Sequence, residues 1–378
     1  MCPPGAQCSM LNAQCPMPNA QWPMPKAESP EPRAKSREPD VIRLVKIVDA
    51  HMGGQPLRLV TEGFPRPSGR TLSQRCNWLK RQADSFRRAL VLAPRGHQDM
   101  TAAVLTEPVS PQAHAGILFM DAAGYPSMSG HGIIAATTIA IERELFFSRQ
   151  LDQAEARLVF DTPAGLVRAD ARLDARGETH RVDAVAVTSV PAFVHAASHR
   201  AKVGSRDLLV DIAFGGAFHA TVDTEATGIP LTSTRLADLR RLGVDICASI
   251  NTSDRPEHPI DAALSGVAGV IFTGPPQDPA AHLRSVTISS AGSVDVSPGG
   301  AGTSAVMAIL DAMGLLPDGQ PFVQEGLSGT LLRGLVVGRT EVGDRAAVVT
   351  QVEGSAWITG EHTFFLDDED PMREGCSF

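Results

Sequence analysis

The spacing of apolar and polar positions gives the first division of the chain. Val41-Ile-Arg-Leu-Val-Lys-Ile-Val48 reads as a strand, Met52-Gly-Gly54 as a turn and Leu57-Arg-Leu-Val60 as the returning strand of a hairpin. The period then changes. After Thr71, a helix-capping residue type, Leu72, Cys76, Leu79, Ala83, Phe86 and Leu90 recur at steps of three and four, which predicts one apolar helical face. Cys76 sits on that stripe and reads as plain core. Strand-like runs follow at Gly116–Met120, Leu158–Phe160 with Leu166-Val167, Val185–Thr188, Leu208–Ala213, Val270–Phe272, Val286–Ile288 and Ala347–Thr350. Runs of strands with occasional helices predict an α+β chain rather than a doubly wound parallel sheet. Short strands broken by Gly and Pro point to curved sheets or barrels.

Two segments resemble each other. Gly124-Tyr-Pro-Ser-Met-Ser-Gly-His-Gly132 leads into the apolar run Ile133–Ile141, and Ser293-Val-Asp-Val-Ser-Pro-Gly-Gly-Ala-Gly302 leads into Thr303–Leu310. Ser129-Gly-His-Gly132 aligns with Gly299-Gly-Ala-Gly302. Each reads as a tight turn opening a helix that must be buried nearly all round. Such a helix start directs free backbone N–H groups, at the positive end of the dipole, toward an anion. Two of them could share one small carboxylate between two similar domains. Neither turn carries a phosphate-loop or dinucleotide glycine pattern. An equal alternative is that each glycine only permits close packing of helix on strand.

Composition changes the picture at the start of the chain. Residues 1–40 hold 9 of the 28 prolines and three degenerate heptads beginning at Ala6, Ala13 and Ala20, so they read as a disordered tail. They show no secretory pattern. The net charge of −8 argues against a nucleic-acid partner. No apolar run is long enough to span a membrane. Cys2, Cys8, Cys15, Cys76, Cys247 and Cys376 form neither a CxxC pair nor a zinc cluster, so no metal is expected and a reducing, cytoplasmic setting is the default.

At these residues the chain resembles the proline racemase family, and within it the trans-3-hydroxy-L-proline dehydratases. The matching segments are Asp49–Pro56, Pro94–Met100, Gly124–His131, Asp211–Phe218, Asp295–Gly302 and Gly354–Gly360. The resemblance implies two domains of the diaminopimelate-epimerase type, each a curved sheet around a central helix, with the active site in the cleft between them. Residues 41–195 with about 350–378 would form the first, and 196–349 the second. It further implies a homodimer, a small imino acid substrate and no cofactor. By family pattern the backbone of Gly130, His131, Gly300 and Ala301 would bind the substrate carboxylate, and Asp295 the ring ammonium. His258 would be a candidate contact to a ring hydroxyl.

The chain departs from the family where chemistry is concentrated. The two positions that carry acid–base cysteines in the racemases hold Ser129 and Gly299. Racemisation needs a group on each face of the α-carbon, and Gly299 has no side chain. Dehydration needs one base, which Ser129 could supply if activated by the helix start or by His131, His51 or His97. Ser129 is equally an ordinary N-cap. Gln55 replaces a family Glu. The expected activity is dehydration of trans-3-hydroxy-L-proline. The alternatives are an inactive relative that binds an imino acid, or a racemase-epimerase in which water substitutes for a side chain.

Overall fold

The structure, a computed structural model, describes residues 42–145, 155–174, 181–317 and 319–376. The Pro-rich segment 1–40 lies outside them. The elements run β1 (Arg43–Met52), β2 (Gln55–Glu62), α1 (Leu72–Gln82), α2 (Asp84–Val91), β3 (Thr101–Thr106), β4 (Ala115–Met120), α3 (Gly130–Glu142), β5 (Glu155–Thr162), β6 (Gly165–Asp174) and β7 (Arg181–Thr188). They continue with β8 (Ala192–Val203), β9 (Arg206–Phe214), β10 (Phe218–Asp223), α4 (Thr224–Thr227), α5 (Leu236–Ser253), β11 (Val267–Gly274), β12 (Leu283–Ser289) and β13 (Val294–Asp295). The last are α6 (Gly300–Ala312), β14 (Phe322–Gly326), β15 (Leu331–Val342), β16 (Arg345–Gly354) and β17 (Ala356–Leu366).

The strands form one continuous, barrel-like sheet whose pairing pattern occurs twice. One path is β17-β1-β2-β3-β4-β5-β6-β7, with parallel pairs only at β2–β3 and β4–β5. The other is β8-β9-β10-β11-β12-β14-β15-β16, with parallel pairs only at β10–β11 and β12–β14. The alternation of parallel and antiparallel pairs is the same in both. The paths join where β16 pairs with β7 and β8. The described residues form one compact unit by contact. The sheet is mostly antiparallel, as expected for an α+β chain.

Each path packs on one central helix: α3 touches β1, β2, β6, β7 and β17, and α6 touches β8, β9, β10, β15 and β16. Residues 130–141 of α3 and 300–309 of α6 are buried without interruption, which is why both read as apolar runs with no amphipathic period. Inside α3, Thr137 and Thr138 return their hydroxyls to the carbonyls of Ile133 and Ile134, so their burial leaves no donor unsatisfied.

The β1–β2 hairpin forms as expected. The single helix expected after Thr71 is two. Thr71 caps α1 by accepting from the Gln74 N–H, but the helix breaks at Ala83 (φ −143°). The six stripe residues are all buried across both pieces. The break re-aims α2 so that Arg87 is held by Asp84 and donates to the carbonyls of Asp121 and Ala122. Helix α5 packs on β8, β11 and β12. Among the described residues no helix is long and apolar enough to cross a membrane.

Candidate active site

The N-termini of α3 and α6 meet head to head. A side chain on Gly130 would lie 2.3 Å from the Gly300 Cα, and one on Gly300 2.7 Å from the Gly130 Cα, so both must be glycine for the helix starts to come this close. Beside this junction lies a cavity of about 590 Å³ lined by Ser129, Gly130, His131, Asp295, Gly299, Gly300 and Ala301, among others. The residues expected to bind a carboxylate, to bind an ammonium and to act on a proton therefore share one wall.

The two helix starts differ. Ser129 caps α3: its Oγ accepts from the Gly132 N–H at 3.1 Å. Gly299 begins α6 at φ +69° and offers no side-chain cap, so the first amides of α6 have no acceptor of their own. The amides of Gly130 and His131 are likewise without an intrahelical acceptor. Together they present free N–H donors at the convergence of two positive helix ends, the arrangement expected of an anion cradle.

His131 bridges the two sides. Its Nδ1 lies 3.2 Å from Asp295 Oδ2, and the Ser129 Oγ lies 3.4 Å from Nε2 and 3.5 Å from Nδ1. Near-equal distances to both nitrogens place the hydroxyl away from either nitrogen's in-plane axis, so a Ser–His–Asp relay requires the ring to turn. The other oxygen of Asp295 accepts from the Ser297 N–H (3.0 Å) and Oγ (2.6 Å). Asp295 is held further by its strand: the preceding residue, Val294, donates its N–H to Asp99 Oδ1. Gln55 lines the cavity and donates to the Asp99 carbonyl at 3.1 Å, which fixes the same loop.

The remaining candidates lie elsewhere. His258 does not line the cavity. Its Nδ1 accepts from the Ile260 and Asp261 amides, and its ring packs on Phe193 and Phe214. His51 accepts from the Gly54 amide and stacks on Trp357, and His97 accepts from the Asp99 amide; neither lines the cavity. Burial pushes the Cys76 thiol up to about 11 and the Cys247 thiol up to about 12, so both are inert core groups.

Among the cavity residues that escaped the sequence reading, His219 is the titratable one on the wall beside Asp295. His219 follows the segment Asp211–Phe218 directly, is 9% exposed and lines the cavity from β10. Its Nδ1 lies 3.2 Å from the Ala217 carbonyl oxygen. Burial pushes its pKa down to about 4, opposed by that hydrogen bond and by the negative charge of Asp295. Histidine in a strand carries no periodic signal, and only the placement of β10 beside α6 reveals it.

Solved structures share this architecture. A hydroxyproline epimerase from Agrobacterium vitis with bound trans-4-hydroxy-L-proline superposes with a TM-score of 0.82 at 29% identity, covering 89% of this chain and 95% of that one. A PhzF-family phenazine biosynthesis protein from Bacillus anthracis, 12% identical with a TM-score of 0.52, shares the fold alone. The class is thus that of proline and hydroxyproline epimerase-fold proteins. The proline racemase family profile matches residues 47–377, and the chain belongs to that family. Curated relatives include the trans-3-hydroxy-L-proline dehydratase of Bacillus cereus, 37% identical over 89% of this chain and 98% of the relative. The proline racemase of Acetoanaerobium sticklandii is 34% identical over 88% and 97%. The 4-hydroxyproline 2-epimerase of Streptosporangium roseum is 37% identical over 88% and 98%.

Proposed function

We propose that this chain dehydrates trans-3-hydroxy-L-proline to pyrroline-2-carboxylate without a cofactor. In this reading the two strand paths are similar epimerase-like domains and the site is the cleft between them; their repeated connectivity supports that division. The observation that carries the reaction is the asymmetry of the paired helix starts: a hydroxyl at Ser129 and no side chain at Gly299. A site with an acid–base group at only one of the family's two positions suits an elimination, which needs one base, better than a racemisation, which needs two.

The amides of Gly130, His131, Gly300 and Ala301 hold the carboxylate, and Asp295 holds the ring ammonium. A half-buried carboxylate at an anion site is costly unless it meets a cation, and the ammonium is that cation. Ser129 takes the α-proton as its own proton passes to His131, which Asp295 steadies. The C–H electron pair forms the ring double bond, the 3-hydroxyl departs with a proton as water, and the enamine tautomerises to the cyclic imine. In trans-3-hydroxy-L-proline the α-hydrogen and the 3-hydroxyl lie on the same ring face, so groups on one side of the ring can serve both. We extend the reading to a cytoplasmic homodimer, supported by family membership and by the free cysteines Cys76, Cys247 and Cys376.

The test is direct. The purified protein is incubated with trans-3-hydroxy-L-proline and pyrroline-2-carboxylate is measured. Product that disappears in Ser129→Ala is the expected result; no product above that variant's background rejects the reading.

A further inference from the structure

His219 is a buried imidazole in the cavity with no part in the chemistry above. Its state is set by its neighbours. A carbonyl oxygen can only accept, so the contact to Ala217 places the proton on Nδ1. The neutral ring then carries its lone pair on Nε2. Among the described residues Nε2 has no hydrogen-bond partner, and it is not one of the atoms sealed from solvent. Nε2 is thus an unused acceptor in the wall of the cavity.

Strand register says what it faces. His219 pairs with Gly269, Gly269 with Ser289, and Thr287, two residues before Ser289, with Asp295. Paired residues, and residues two apart on a strand, share a face of the sheet. His219, Ser289, Thr287 and Asp295 therefore rise on one face, and all four line the cavity. Gly269 places no side chain between His219 and the others. The Asp295 carboxylate is partly committed, since one oxygen accepts twice from Ser297 and the other faces His131. A ring ammonium carries two N–H donors. A donor that gives up its water on binding and finds no partner is costly.

We propose that His219 Nε2 is the second acceptor for the ring nitrogen of the substrate, beside Asp295. This rests on the reading of the cavity as an imino acid site. The neutrality of the ring matters here. Its depressed pKa leaves it uncharged near pH 7, so it accepts a hydrogen bond without repelling the cation. A site so equipped discriminates by the number of N–H donors on the ring, because a ligand lacking them displaces water from the Nε2 acceptor without pairing it.

The experiment compares two ligands of the same ring size by calorimetry on the full chain at pH 7.5. L-Proline has two ring N–H donors; (S)-tetrahydrofuran-2-carboxylate keeps the carboxylate and has none. The wild-type protein is expected to prefer proline. His219→Asn retains a donor for the Ala217 carbonyl and removes Nε2. That preference is expected to fall about tenfold, with tetrahydrofuran-2-carboxylate affinity within about twofold of wild type. Retained binding of the oxygen analogue also shows that the variant is folded. Should it not fold, His219→Phe fills the volume without an acceptor and carries the same expectation. An unchanged preference, or equal weakening of both ligands, overturns the role of His219 while leaving the carboxylate site standing. If neither ligand binds the wild-type protein, the imino acid site itself falls and this proposal with it.

Discussion

The junction of α3 with α6 makes Gly130→Ala the most revealing substitution. On helical propensity alone it should stabilise, by up to about 1 kcal/mol. Packing opposes this. The new methyl would stand 2.3 Å from the Gly300 Cα and 2.7 and 2.8 Å from the Gly300 and Ala301 amide nitrogens, all backbone atoms that cannot rotate away. Reaching ordinary contact at 3.4 Å requires the helix starts to part by about 1.1 Å. Both helices are buried from their first residue over at least ten residues, so that movement is resisted by the cores around them, at about 1–3 kcal/mol of overpacking. Functionally, a misplacement of this size costs about 10²-fold in rate, or about 2.7 kcal/mol in the barrier. The methyl also covers two of the four amides assigned to the carboxylate. We expect kcat/KM for trans-3-hydroxy-L-proline to fall about a hundredfold, with a matching loss of tetrahydrofuran-2-carboxylate affinity. Gly338→Ala on β15, where a methyl meets only Val349 at 3.7 Å, is the control and should leave both unchanged. A Gly130→Ala protein with kcat/KM within about threefold of wild type would refute the idea that the close approach of the helix starts forms the site.

Three further outcomes follow from the geometry. Gly299→Ala puts a side chain on a backbone at φ +69° and within 3.1 Å of Asp295 Oδ2, so urea denaturation should show a loss of about 1–3 kcal/mol; no loss would mean the turn relaxes freely. Asp295→Asn keeps an acceptor but removes the charge, and should weaken proline binding by about ten- to a hundredfold while sparing tetrahydrofuran-2-carboxylate; equal effects on both would place the ammonium elsewhere. Because the folded-state pKa of His219 is lowered from 6.5 to about 4, the unfolded chain binds more protons between those values. Its contribution is present above pH 6.5 and is lost as pH falls toward 4, by up to about 1.4 kcal/mol per unit. The stability difference between wild type and His219→Asn should decline over that window, and a pH-independent difference rejects the depressed value.

Legibility followed how local the cause of each feature is. Helices α3 and α6 were readable because a glycine turn followed by an unbroken apolar run has few other solutions, and their buried faces leave no polar positions to blur the pattern. The convergence of Ser129, His131, Asp295 and Gly299 on one cavity follows from the internal repeat and the family pattern together. The split at Ala83 was not readable, since the apolar stripe continues through it and the contacts that accompany it, Arg87 to carbonyls beyond β4, are remote in sequence. Strand β8 is bulged twice against β9, at Val194/Ala196 and Ala196/His199, which destroys the two-residue alternation a strand shows in sequence. Helix α5 has buried Leu239, Gly243, Ile246, Cys247 and Ile250 on one face, a stripe the sequence reading passed over. His219 had no sequence signal of its own; its meaning comes from strands β10 to β13 lying side by side.

A chain of net charge −8 is expected to repel a carboxylate, yet the proposed reading places one in its cavity. The two effects act over different ranges. Net charge is felt through solvent screened within about 8 Å at physiological salt, whereas the cradle acts by contact through amides at the ends of two helices, each carrying about half a positive charge. Gly299 sharpens the point. Ser129 takes up the Gly132 amide of α3, while Gly299 takes up none of the first amides of α6, so the α6 side offers more free donors. The residue that removes a proton-transfer group from one face thereby leaves that face of the anion cradle open. On the proposed reading, binding can survive the loss of proton transfer. Substitutions at Gly130 and Gly300 should weaken binding as well as rate, whereas substitution at Ser129 should remove the rate alone. A Ser129→Ala protein that still binds tetrahydrofuran-2-carboxylate but forms no product would show that the cradle outlasts the chemistry, because its amides belong to the backbone and do not depend on the side chain at either helix cap.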